Sequence, residues 1–150
     1  MMRILFVCLG NICRSPAAEA VARTRLGDMP VACLVDSAGT SGWHEGEPPY
    51  PPMVRAAGAR GVAMTGLYAR KAIADDFEQF DLILAMDGDN LAALEDLRPA
   101  GNDTPLRLLT DFIDGAVSAV PDPYYTRDFN GALDLIESGV DGLARWLAAR

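Results

Sequence analysis

An apolar run, Ile4-Leu5-Phe6-Val7, gives way to Cys8-Leu9-Gly10-Asn11-Ile12-Cys13-Arg14, and Ser15-Pro16 follows. Four consecutive apolar residues are the pattern of a parallel strand covered on both faces. Ser-Pro is a helix-start pair, with serine as cap and proline at the first helical position. Strand, tight loop and helix in immediate succession restrict the chain to an α/β fold with right-handed crossovers. In such folds ligands sit beyond the carboxyl ends of the strands. Cys8 stands at that edge.

The rest of the chain continues the alternation. The first helix is expected to run to about Leu26, and residues 31–35 form a second short strand ending at Asp36-Ser37-Ala38-Gly39-Thr40. Residues 41–52 are too rich in Gly and Pro for regular structure, and residues 53–60 read as a short helix ended by Gly61. A third buried strand covers 81–86, a helix 90–97 and a weaker fourth strand 106–109. Phe129, Leu133, Ile136, Val140, Leu143 and Leu147 recur at alternating spacings of 4 and 3, which puts them on one helix face against the sheet. Glycines 131, 139 and 142 weaken that helix, so packing has to stabilise it.

With 150 residues, half of them hydrophobic, the chain suits one domain, 1–150, with a full core. No apolar run approaches the ~20 residues of a membrane span, and the first strand begins too early for a signal peptide to be visible. Three cysteines make no disulfide framework and suit a reducing compartment, so a cytoplasmic location is expected. A net charge of −8 without a basic stripe excludes nucleic acid as a partner. Any anion site must then be local, since screening confines the general repulsion to about 8 Å at physiological salt.

The Cys8–Arg14 loop supplies such a site. Gly10 and Asn11 tolerate positive φ and allow successive N–H groups to converge as an anion nest. The helix start adds partial positive charge, and the Arg14 fork can grip two phosphate oxygens. A thiolate in that setting can have its pKa lowered from about 8.5 into the range ~3.5–7.5. The plain alternative, a buried inert cysteine ending a strand, does not account for the Gly-Asn-Arg-Ser-Pro context. Phosphoryl transfer to a thiolate also needs a proton for the leaving oxygen. Asp122, stiffened by Pro121 and Pro123, is the candidate, with Tyr124 and Tyr125 able to wall a pocket for an aromatic ring. His44, the sole histidine, reads as an exposed loop residue rather than a base. A zinc site would require Cys8, Cys13, Cys33 and His44 to converge from distant elements.

Three separated motifs now carry a resemblance: Val7-Cys8-Leu9-Gly10-Asn11-Ile12-Cys13-Arg14-Ser15-Pro16, Ser37-Ala38-Gly39-Thr40 with Trp43, and Asp122-Pro123-Tyr124-Tyr125. The sequence resembles the low-molecular-weight protein tyrosine phosphatases over essentially its whole length. That resemblance implies a four-stranded parallel open sheet with helices on both faces and a phosphate-binding loop after the first strand. It implies a protein-tyrosine phosphatase without cofactor or metal, in which Cys8 attacks phosphorus. Arg14 and the amides of Leu9, Gly10, Asn11, Ile12 and Cys13 would hold the phosphoryl oxygens. Asp122 would protonate the phenol and then activate water. By the same resemblance Asn11 shapes the loop, Ser15 hydrogen-bonds the thiolate and Ser37 supports the network. Trp43, Tyr124 and Tyr125 line the phosphotyrosine slot, and Cys13 is a redox partner for Cys8. The implied partner is a phosphotyrosine protein, for a bacterial chain a tyrosine kinase of the exopolysaccharide pathway by family analogy, and the implied state is a monomer.

Two positions depart from the family pattern. Leu67 replaces a histidine in Gly66-Leu67-Tyr68-Ala69-Arg70, and Tyr50 replaces an aspartate. Rival functions are a thioredoxin-coupled arsenate reductase, a protein-arginine phosphatase and a phosphoprotein-binding module without turnover. The first lacks redox cysteines beyond Cys33. The second goes with threonine where this chain has Ile12, and the third is opposed by Asp122.

Overall fold

The computed structural model describes residues 1–30 and 32–150. Four parallel strands, β1 (Met2–Cys8), β2 (Cys33–Gly39), β3 (Leu82–Ala85) and β4 (Leu106–Leu108), stand in the order β2-β1-β3-β4. β1 is therefore central, and its alternation supplies two cores at once. Ile4 and Phe6 pack with Val21, Met53, Leu133 and Ile136, drawn from helices α1 (Arg14–Leu26), α2 (Pro51–Gly58) and α6 (Phe129–Ala148). Leu5 and Val7 pack on the opposite face with Phe77 of α3 (Asp76–Gln79) and Leu94 of α4 (Gly88–Leu97). The expected α/β architecture, with helices on both faces of a parallel sheet, is thus present. No helix among the described residues is long and apolar enough to cross a membrane.

Several boundaries differ from the sequence reading. Of the strand expected over 31–35, Val31 lies outside the described residues, and β2 runs on through Asp36-Ser37-Ala38-Gly39 because these pair with Leu5–Cys8. α1 starts two residues early, at Arg14 rather than Pro16. Its N-cap is Cys13, which makes no side-chain cap bond, so Ser15 is not the cap. α2 starts at Pro51 and α4 at Gly88, where the Asp87 carboxylate accepts from Asn90 N as a cap. Three short elements were not expected: α3, a 3₁₀ turn Leu109–Phe112, and α5 (Pro123–Thr126).

The glycines of α6 have a packing role. A Cβ at Gly142 would lie 1.8 Å from the Phe112 carbonyl oxygen, and one at Gly139 would lie 2.6 Å from Leu109 Cγ. The helix can seat against the 3₁₀ turn only where side chains are missing.

Candidate active site

Cys8 ends β1 and is buried, as are Asn11, Ile12, Cys13, Arg14 and Ser15. The loop turns at Asn11, whose φ of 57° is in the left-handed region. Its carboxamide holds that conformation by donating to Ser15 Oγ (2.8 Å) and Ser37 Oγ (3.0 Å), while Oδ1 accepts from Arg70 N (3.0 Å). Gly10 does not share the positive φ expected of it. Its lack of a Cβ makes room for His44, whose Cδ2 would be 3.0 Å from such an atom. Gly39 has the same function opposite the loop, since a Cβ there would meet Leu9 O at 2.7 Å.

Polar groups converge on the Cys8 sulfur. Asn11 N donates to Sγ at 3.3 Å, and Ser15 Oγ lies 3.0 Å from it. Ser15 Oγ is 3.3 Å from the Ala38 carbonyl, so its one proton has a closer acceptor in the sulfur. Behind them Ser37 Oγ donates to Glu19 Oε1 at 2.7 Å. Glu19 is itself buried and lies against Arg23. Burial raises its pKa, against the lowering effect of the Ser37 hydrogen bond and Arg23. Leu67 is buried in the larger core and takes no part in this network.

Arg14 is 2% exposed. Nη1 donates to Asp87 Oδ2 (2.6 Å) and the Val120 carbonyl (2.9 Å), and Nη2 to Asp122 Oδ2 (3.3 Å). Burial disfavours its charge, but Cys8, Asp87 and Asp122 together outweigh that and raise its pKa. Arg14 Nε is buried with no protein acceptor. Among the described residues, no acceptor is found for the backbone N–H groups of Gly10, Ile12 and Cys13 either. The ordered donors beside a buried thiol are those an oxyanion would satisfy. Burial first, then the negative charge of Cys8 and Asp122, pushes the Cys13 thiol up to about 12.

Asp122 caps α5, its Oδ1 accepting from Tyr124 N at 3.1 Å while Oδ2 faces Arg14. The cleft above Cys8 is walled by Leu9, Ile12, Trp43, His44, Tyr124 and Tyr125. All the expected site residues thus meet at one sheet edge, with Ser37 behind the loop. Two were missed. His44 is only 29% exposed, lines the cleft and contacts Glu47, where the sequence reads as an exposed loop residue. Asp87, legible only as a turn residue, anchors Arg14.

Known proteins resemble this chain in sequence and in fold. The family model "Low molecular weight phosphotyrosine protein phosphatase" matches residues 3–150. The low molecular weight protein-tyrosine-phosphatase YfkJ of Bacillus subtilis is 38% identical over 146 residues, 95% of this chain and 94% of its own. PtpA of Staphylococcus aureus is 38% identical over 148 residues, 98% of this chain and 94% of its own. The YfkJ crystal structure superposes with a TM-score of 0.94 at 37% identity, covering 99% of this chain and 96% of that one. A protein tyrosine phosphatase from Entamoeba histolytica, with Hepes in its active site, gives 0.91 at 36%, covering 99% and 98%. Matched from end to end in sequence and in fold, the chain belongs to the low molecular weight phosphotyrosine protein phosphatase family.

Proposed function

We propose that the chain hydrolyses phosphotyrosine in proteins, and simple aryl phosphates, through a phosphocysteine on Cys8. The observation that carries this is the set of unmatched donors, Arg14 Nε and the loop amides, around a sulfur that already accepts from Asn11 N. In the first step Cys8 Sγ forms a bond to phosphorus as the P–O bond to the tyrosine breaks. Asp122 transfers its proton to the departing phenolate oxygen. The three remaining oxygens lie against Arg14 and the amides of residues 9–13, donors fixed before the reaction starts. In the second step water attacks phosphorus, Asp122 takes its proton, and the S–P bond breaks to release phosphate and the thiolate. Asn11, Ser15 and Ser37 hold the loop, and Trp43, Tyr124 and Tyr125 receive the aromatic ring. Cys13 is the resolving thiol for an oxidised Cys8. The partner is a phosphotyrosine protein, a bacterial tyrosine kinase being the first to try, met by a cytoplasmic monomer.

The test is turnover of 4-nitrophenyl phosphate and phosphotyrosine in the presence of a metal chelator. Activity is expected in the wild type and lost in Cys8→Ser and Arg14→Ala. Asp122→Asn should slow phosphotyrosine more than 4-nitrophenyl phosphate, whose leaving group needs less help. Equal losses on both substrates would remove Asp122 from the acid role. Phosphoarginine, tested in parallel, is expected to be the poorer substrate because Ile12 lines the cleft.

A further inference from the structure

We propose that Tyr50 is a positioning residue that sets the acid-bearing loop against the phosphate loop. The inference rests on Asp122 being the acid, as proposed above. Tyr50 precedes α2 as its N-cap, and its backbone is held from both sides. Its N–H donates to the Ile12 carbonyl at 2.8 Å, and its own carbonyl accepts from Met53 N at 3.0 Å. Ile12 belongs to the Cys8–Arg14 loop, so the Tyr50 Cα moves with the phosphate site.

The other end of the side chain reaches the acid loop. Tyr50 Oη accepts from Arg127 Nη1 at 2.9 Å. Arg127 closes α5, the short turn that Asp122 opens, and it does so at a φ of 62°. That region is unfavourable for a residue with a Cβ. Arg127 N donates there to the Pro123 carbonyl at 2.9 Å, and its side chain is anchored by the Tyr50 hydroxyl, with the guanidinium lying 5.4 Å from the Tyr50 ring and 5.1 Å from the Phe129 ring. The Tyr50 ring is also 5.1 Å from Tyr124, the wall of the cleft. One residue thus joins the phosphate loop through its amide, the acid loop through its hydroxyl and the aromatic slot through its ring.

An ordinary surface contact would leave the chemistry indifferent to the hydroxyl, and that difference can be measured. Tyr50→Phe keeps the ring and removes the acceptor. Arg127→Asn removes the guanidinium while keeping a residue that tolerates positive φ. Tyr50→Phe is expected to lower kcat/KM for phosphotyrosine roughly threefold to tenfold, the weight of one hydrogen bond, and for 4-nitrophenyl phosphate by less than about twofold. The double variant should be no worse than the weaker of the two single ones, since both cut the same tie. Thermal unfolding of each variant controls for loss of fold. Equal losses on both substrates, no loss at all, or additive effects of the two substitutions would overturn the proposal. Asp122→Asn, run alongside, separates the causes. If it discriminates between the leaving groups and Tyr50→Phe does not, only the positioning role falls; if it fails to discriminate, the acid assignment falls and takes the positioning role with it.

Discussion

Cys13 is buried five residues after Cys8 in the same loop, and its surroundings keep its thiol protonated up to about pH 12. Its neutral form is favoured by the fold, whereas in the unfolded chain it would ionise near an ordinary 9.0. The folded chain then binds more protons between these values, so this contribution is complete below about pH 9.0 and is lost as pH rises toward about 12. Three units correspond to at most about 4 kcal/mol. Urea midpoints of the wild type are therefore expected to fall more steeply between pH 8 and 10.5 than those of Cys13→Ala; parallel curves would show that Cys13 does not couple to folding. The same protonation bears on reactivity, because the thiolate is the attacking species. Iodoacetamide at pH 7 should label Cys8 and spare Cys13. As a resolving thiol Cys13 should act slowly at that pH and faster as pH rises.

At the level of elements, the contact between α6 and the 3₁₀ turn is the tightest backbone approach described above. Gly142→Ala gains helix propensity of up to ~1 kcal/mol but drives a methyl into the Phe112 carbonyl, and overpacking of this kind costs about 1–3 kcal/mol or more. A net loss of about 2 kcal/mol in urea denaturation is expected. Gly58→Ala, at the end of α2 with no atom from beyond its chain neighbours and its own helix backbone within 4 Å of the new carbon, should instead gain up to ~1 kcal/mol. Both signs are needed, since Gly142→Ala behaving like Gly58→Ala would refute the packing argument. α6 was legible because its six apolar positions repeat over five turns, and β1 because its run is short, apolar and bounded. That the loop between β1 and α1 would gather donors beside Cys8 was legible from residue types. The short elements were not: four residues span barely one helical turn, too little for a period to show. Ser15 looked like a cap because Ser-Pro usually caps. Its hydroxyl is taken instead by Cys8, Asn11 and Ala38, partners supplied by tertiary structure. Asp87 and His44 escaped for the same reason, because what each touches is set by the sheet order and the path of the loop.

Over the whole molecule, acidic groups exceed basic ones by eight, so a doubly charged ester approaches against the general field. The Debye length shrinks from about 30 Å at 0.01 M to about 8 Å at 0.15 M, which removes that field before it removes contacts inside the cleft. The value of kcat/KM for phosphotyrosine is therefore expected to rise, by about twofold, over this interval in a salt of a weakly bound anion. A fall would mean that local cationic attraction dominates. Close in, Arg127 also acts on the loop, while Arg14 is a buried cation flanked by the carboxylates of Asp87 and Asp122. Two anionic neighbours already outnumber it, and a dianion added to the group would leave it far from neutral. Of the two ties, the one to Asp122 is the longer, 3.3 Å against 2.6 Å for Asp87, so it is the first that an arriving anion would loosen.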